Sequence, residues 1–338
     1  MTDTVGASAT EEALLANAAG TAGAPDGQVR LMTKIAHLYH EQNLRQNEIA
    51  AMLHISQAKV SRLLKRASEV GIVRTVVVLS QGVHTDLERA LEERYGLLEA
   101  VVADVTGDEV AVLAGLGSAG ASYLEATLSG GERIGVSSWS QTLLAVVDRL
   151  RQRRASGAES VVQLVGGIGA GAAQAQANRL LSEFAHLVGA SPSYVPAPGL
   201  VGGAAMRRDL MAEPAVRSVT ASWPDLTMAL VGIGSLQPSE LLQRSGNAID
   251  PADQAALLEL GAVGDVCHRF FDASGRHVSS ELDARVVGID PDSFRTIPRR
   301  IGLAGGERKH EAIRAAVLGR WVNVLLTDLS TARALLAD

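Results

Sequence analysis

The sequence predicts an α/β protein: a small all-helical head carrying a helix-turn-helix, followed by a large body built on a mainly parallel sheet. Three observations predict it. Between residues 30 and 74, apolar side chains recur at helical spacing in three short runs. Beyond residue 81, β-branched segments alternate with helix-period segments, the pattern of a parallel sheet covered by helices on both faces. Charge is also segregated: residues 1–29 carry −4, residues 30–74 carry +5 and the remainder carries −7, within a net −6 over 338 residues. A basic block on an acidic body is expected when only one module meets phosphate.

Taken in order, residues 1–28 are rich in Ala, Gly, Thr and acids without apolar periodicity, and read as a disordered tail. The head spans 29–80. Its first helix starts at Arg30, turns Leu31, Ile35, Leu38 and Tyr39 inward, and ends at Asn43. A second helix, Arg45 to Leu53, buries Ile49 and Met52, with Ala50 small enough for close approach. His54-Ile55-Ser56 makes a tight turn with Ser56 as N-cap. The third helix runs from Gln57 to about Val70, buries Val60, Leu63, Leu64 and Ala67, and stops at Gly71. Ile72 to Val78 reads as a strand.

The body spans 81–338. Its strands are expected at Ala100–Val105, Arg133–Val136, Ser160–Val165, Met228–Ile233, Arg285–Gly288, Thr296–Ala304 and Val322–Thr327. Helices are expected at Glu109–Leu128, Ala173–Val188 and Glu311–Leu318. No apolar run reaches the roughly 18 residues of a membrane-spanning helix. No Lys or Arg precedes Arg30, so the basic start of a targeting peptide is missing. A single cysteine, Cys267, excludes an internal disulfide and a thiolate metal cage. The expected setting is cytoplasmic, without a membrane partner, metal or cofactor.

The third head helix leaves Gln57, Ala58, Lys59, Ser61, Arg62, Lys65 and Arg66 facing outward. Gln and Arg can pair bidentately with adenine and guanine edges in a major groove. The first turn of such a helix enters the groove, so Gln57, Ala58, Lys59 and Ser61 are the base-reading candidates, with Arg62 next. Lys65, Arg66 and Gln46, together with the cap Ser56, suit the backbone and set register. The bland alternative is a solvated basic face. Agreement of spacing, cap, turn and charge favours the duplex reading.

In the body, Ser137-Ser138-Trp139-Ser140-Gln141-Thr142 follows a strand and opens a helix. Several hydroxyls there exceed the needs of ordinary capping and suit a phosphate or polyol oxygen. Trp139 either stacks on a ligand or closes the loop. Glycines follow three further strands, in VVQLVGGIGAG (with Gly166 and Gly167), LVGIGSLQPSE and GLAGGERKHEAI. Ligands of open α/β sheets bind at such carboxyl ends. Lys309, at the start of a helix, suits an anionic group, or is a surface lysine. Asp265 suits sugar hydroxyls, or caps a turn. His268, His277 and Asp272 fit no metal spacing. No nucleophile elbow or Walker motif appears.

With these blocks in hand, the chain resembles the SorC/DeoR-like family of sugar-responsive bacterial transcriptional regulators. The resemblance covers residue 30 to the C-terminus. It rests on NEIAAMLHISQAKVSRLLKRASEVGIV, RYGLLEAVV, ERIGVSSWSQTL, VVQLVGGIG, YVPAPGLV, LVGIGS, LGAVGDV, FFDASG, IGLAGGERKHEAI and VNVLLTDLSTARALL. It implies a DNA-binding head and a Rossmann-like effector domain related in fold to glucosamine-6-phosphate deaminase and ribose-phosphate isomerase. It also implies dimers or tetramers, operator DNA as partner, and a sugar, polyol or sugar phosphate as effector. By the same resemblance the phosphate loop is Ser137 to Thr142, the ligand-facing acid is Asp265 and the lysine is Lys309. Where many relatives have glycine and arginine between the loop's Trp and Thr, this chain has Ser140-Gln141, which leaves a less charged polyol or sugar open. The rival reading is a sugar-phosphate isomerase or deaminase with a DNA-binding head. Such an enzyme needs an acid/base pair near the sugar. A deaminase-type turn would set Asp and His after the third glycine loop, where this chain has Ser235-Leu236-Gln237.

Overall fold

The computed structural model describes residues 26–73, 82–151 and 157–337. The chain divides into two compact units, Met1–Leu79 and Ser80–Asp338.

The described residues of the first unit form three helices: α1 (Asp26–His40), α2 (Gln46–Met52) and α3 (Gln57–Glu69). Helix α1 opens at Asp26, so residues 26–28 are helical rather than part of a tail; residues 1–25 lie outside the described residues. The core joins Met32, Ile35, Ala36 and Leu38 of α1 to Ile49 and Ala50 of α2 and Val60, Leu63, Leu64 and Ala67 of α3. Two expected core residues are not in it. Met52 is 55% exposed and Tyr39 37% exposed. Ala50 takes the inward position on α2 instead, where a small side chain lets the helices approach, and Met52 is left at the rim.

The turn between α2 and α3 is built from the backbone. His54 sits at φ 50°, its N–H donating to Ala51 O and the Ile55 N–H to Ala50 O, which closes α2 in the left-handed manner usually left to glycine. Two residues on, Ser56 Oγ accepts from Lys59 N at 3.3 Å and starts α3. Gly71, at φ 77°, ends α3 as expected. Ile72 and Val73 are not strand but pack against the head core. The rest of the strand expected there, 74–78, lies outside the described residues.

The second unit begins with α4 (Thr85–Tyr95), β1 (Glu99–Ala103), α5 (Glu109–Thr127), β2 (Arg133–Val136), α6 (Gln141–Val147) and β3 (Ser160–Gln163). Then come α7 (Gly171–Leu187), β4 (Ser191–Ser193), α8 (Ala204–Ala212), α9 (Pro214–Thr220), β5 (Met228–Gly232) and β6 (Gly234–Ser235). The chain continues through α10 (Glu240–Ser245), α11 (Pro251–Glu259), β7 (Ala262–Val266), β8 (Arg269–Asp272) and α12 (Pro291–Thr296). It closes with β9 (Arg299–Leu303), α13 (His310–Leu318), β10 (Val324–Asp328) and α14 (Leu329–Ala337).

Seven strands form one sheet in the order β1-β10-β9-β5-β2-β3-β4, and every pairing is parallel. From β2 the chain winds outward through β3 to β4. It then returns to β5 and winds the other way through β9 to β10. The winding therefore reverses between β2 and β5, and an open sheet leaves a crevice at the carboxyl ends of strands there. Strand faces are buried on both sides, as in the all-buried β10 (VLLTD). At one end of the core the fully buried Trp321 packs on Phe271 and Phe294, with the Arg295 guanidinium 4.3 Å above its ring.

A second sheet, β6-β7-β8, is antiparallel and was not anticipated. The expected strand Arg285–Gly288 is also absent. Val286 and Val287 are fully buried, and the segment is hydrogen-bonded to Gly166, Gly199 and Val201, but in isolated bridges rather than a continuous ladder. Among the described residues no helix is long and apolar enough to cross a membrane, and no cluster of His, Cys, Asp or Glu is gathered to hold a metal.

Candidate functional site

A cavity of about 530 Å³ opens at the carboxyl ends of the central strands, where the winding reverses. One wall is the turn after β2. Ser137 Oγ accepts from Gly232 N at 3.4 Å, joining the ends of β2 and β5. Ser140 caps α6, its Oγ accepting from Leu143 N at 3.2 Å, and Gln141 and Thr142 complete the wall. Trp139 closes the loop, its indole N–H donating to Gly166 O at 3.1 Å, and it also lines the cavity.

Three residues expected here do not reach the cavity lining. Ser138 turns inward, donating from Oγ to Val165 O at 2.9 Å. Gly166 and Gly167 are glycine because backbone meets other groups there: a Cβ on Gly166 would overlap Pro198 O, and one on Gly167 the Gln163 amide. Both are tightly packed positions outside the cavity lining.

Opposite lies the end of β5 and the β7–β8 hairpin. Asp265, on β7, accepts from His268 N at 2.9 Å. Any side chain at Gly234 would overlap the Asp265 carboxylate, so that glycine makes room for the acid. Burial raises the Asp265 pKa to about 6, against the opposing pull of the His268 N–H and the charge of Lys309. Lys309 donates from Nζ to Ile233 O at 3.0 Å. Burial lowers its pKa, and Asp265 and Glu109 partly counter that. An acceptor and a cationic donor thus stand ready on one wall.

The residues Cys267 and His268 form the two-residue turn of the hairpin, at φ 53° and 59°. Side chains rarely adopt that geometry in succession, and glycine or asparagine usually carries it. Strain of this kind collects at functional sites, and both residues line the cavity. Burial holds the His268 imidazole neutral, its pKa lowered to about 4, and pushes the Cys267 thiol well up. The thiol is therefore a poor nucleophile.

Sequence reasoning missed the mouth of the cavity. There Arg308 donates to Glu109, the first residue of α5, and to Gln237 Oε1 at 3.3 Å. The carboxyl-end rule that pointed to Lys309 would also have pointed to Glu109, which follows β1.

In the head, Ser56, Gln57, Ala58, Lys59, Ser61, Arg62, Lys65 and Arg66 are all exposed, and Gln46 is half-buried at the start of α2. The face opposite Val60, Leu63, Leu64 and Ala67 is therefore continuous and carries four cations, of which Arg62 leans back to the Ala58 carbonyl at 3.3 Å. A separate open groove of about 730 Å³ follows α1 past Arg30, Lys34 and His37, mostly between exposed side chains.

The family described as "Putative sugar-binding domain" matches residues 81–337, so the whole unit holding the cavity. The deoxyribonucleoside regulator of Bacillus subtilis (strain 168) is 35% identical over 310 residues, covering 91% of this chain and 98% of that one. The chain belongs to the SorC/DeoR-like family of transcriptional regulators. The sorbitol operon regulator of Klebsiella pneumoniae is 33% identical over 311 residues, covering 91% and 98%. The crystal structure of full-length SorC from Klebsiella pneumoniae superposes with a TM-score of 0.68 at 31% identity, covering 92% of this chain and 100% of that one. As a SorC/DeoR-like protein the chain is a DNA-binding transcriptional regulator with a sugar-binding body, and not a sugar-phosphate isomerase or deaminase.

Proposed function

We propose that the exposed face of α3 reads an operator in the major groove and that a sugar, polyol or sugar phosphate seated in the body cavity alters that binding. The observation that carries the effector half is the juxtaposition of Asp265 and Lys309 in a cavity at the winding reversal. A carboxylate accepts from adjacent hydroxyls, and the ammonium donates to a ring, carbonyl or ester oxygen. The relatives' names, deoxyribonucleoside regulator and sorbitol operon regulator, support a carbohydrate-metabolism operon as target.

In the head, Gln57, Ala58, Lys59, Ser61 and Arg62 approach base edges, while Gln46, Ser56, Lys65 and Arg66 hold phosphates. The protein acts in the cytoplasm as a dimer or tetramer, because two half-sites about one helical turn apart need two heads. The effector works by binding two arrangements of those heads with different affinity, since equal affinity would shift nothing.

The test is an operator selected from random duplex, titrated with protein while candidate sugars, polyols and their phosphates are added. One class of compound should change the DNA affinity, and Lys309→Ala should raise the concentration needed about tenfold or more. An unchanged dose response in that variant removes Lys309 from the site. A protein that enriches no duplex sequence contradicts the operator reading.

A further inference from the structure

The charges around the cavity are already matched against one another. Arg308 is engaged by Glu109 and by Gln237. Glu240, also in the lining, pairs with Arg244 at 3.4 Å. Lys309 gives one of its donors to the Ile233 carbonyl, and the charge of Asp265 offsets its own. His268 adds no charge near neutral pH, because burial keeps its imidazole unprotonated. Of the two permanent cations in the described lining, Arg308 at the mouth is held by Glu109, and Lys309 sits buried under the attraction of Asp265. At the start of α6, where the turn after β2 meets the cavity, the long side chain is the neutral Gln141.

A phosphate monoester carries close to two negative charges near pH 7. To use Arg308 it has to displace Glu109, whose carboxylate stays beside the incoming anion. An uncharged polyhydroxy compound meets no such obstacle. Its hydroxyls both donate and accept, and the cavity offers Asp265 as acceptor, Lys309 as donor, and Ser140, Gln141 and Thr142 as both.

We infer that the body selects an uncharged sugar or sugar alcohol over its phosphate ester, and that Glu109 enforces the choice by occupying Arg308. The inference rests on the effector-binding reading above and narrows its ligand class.

Calorimetric titration of the full-length protein tests it, using pentoses, hexoses and their sugar alcohols, each paired with its monophosphate, and inorganic phosphate alone. The expected result is an uncharged compound binding at least tenfold more tightly than its own phosphate, with no binding of inorganic phosphate. Glu109→Gln, which frees Arg308, should shrink that preference about tenfold. A phosphate ester that binds the wild type as tightly as its parent, or an unchanged preference in Glu109→Gln, overturns the inference and leaves the effector reading standing. Failure of every compound in both arms removes the effector reading itself, and the inference with it.

Discussion

At His54 the backbone adopts a left-handed conformation that costs a non-glycine residue roughly 1 kcal/mol. His54→Gly should therefore raise the unfolding free energy of the head by about that amount. Ser56→Ala, which removes the cap on Lys59 N, should lower it by about 1 kcal/mol. Denaturant unfolding followed by circular dichroism checks both, and a stabilised Ser56→Ala would contradict the cap. Asp265 makes a second residue-scale prediction, through pH. Its folded pKa is raised to about 6 by burial, above the ordinary carboxylate value near 4. Ionisation thus opposes folding: the cost is absent below pH 4, grows between 4 and 6, and is complete above 6. Asp265→Asn should accordingly be more stable than wild type at pH 7.5, by something on the order of 2 kcal/mol, and the advantage should fade toward pH 4. Thermal unfolding across that range decides it. An advantage that does not vary with pH would mean the carboxylate is not held in this way.

The helix α3 separates two kinds of contact that mutation can distinguish. Arg62→Ala should cost roughly 1–3 kcal/mol on the preferred operator and relax selection at one base pair. Unaltered operator affinity in that variant would take Arg62 off the reading face. This helix was legible from the sequence because cap, apolar spacing and terminal glycine coincide: Ser56, then Val60, Leu63, Leu64 and Ala67, then Gly71. Strand β2 was legible to its ends for a similar reason, since Gly130-Gly131 precedes it and the hydroxyl-rich run from Ser137 follows Val136. Other elements hid behind local chemistry. Strand β4 contains Pro192, a residue that argues against a strand and is tolerated because β4 forms the edge of the sheet. The β7–β8 hairpin turns on Cys267-His268, without the Asn-Gly signal such turns usually show. The segment Arg285–Gly288 has strand-like composition, but its backbone bonds to Gly166, Gly199 and Val201 form isolated bridges, not a ladder. In the site, glycine loops and hydroxyls pointed to the right end of the sheet. Which way each residue faces was not written there: Ser138 and Ser140 read alike, yet one bonds Val165 O in the interior and the other caps α6 at the cavity.

The charge distribution of the whole chain sets how it meets DNA. A body at −7 is repelled by the duplex, so attraction has to come from the +5 block that holds α3. Binding through Lys59, Arg62, Lys65 and Arg66 releases counterions from DNA, and the logarithm of affinity should fall linearly with the logarithm of salt concentration. Operator affinity measured between about 50 and 200 mM salt, for the wild type and for Lys65→Ala with Arg66→Ala, tests the central claim directly. A steep wild-type slope that drops by about two in the double variant is the predicted result. A flat wild-type response, or a slope untouched by removing both cations, would show that the face of α3 does not meet the duplex.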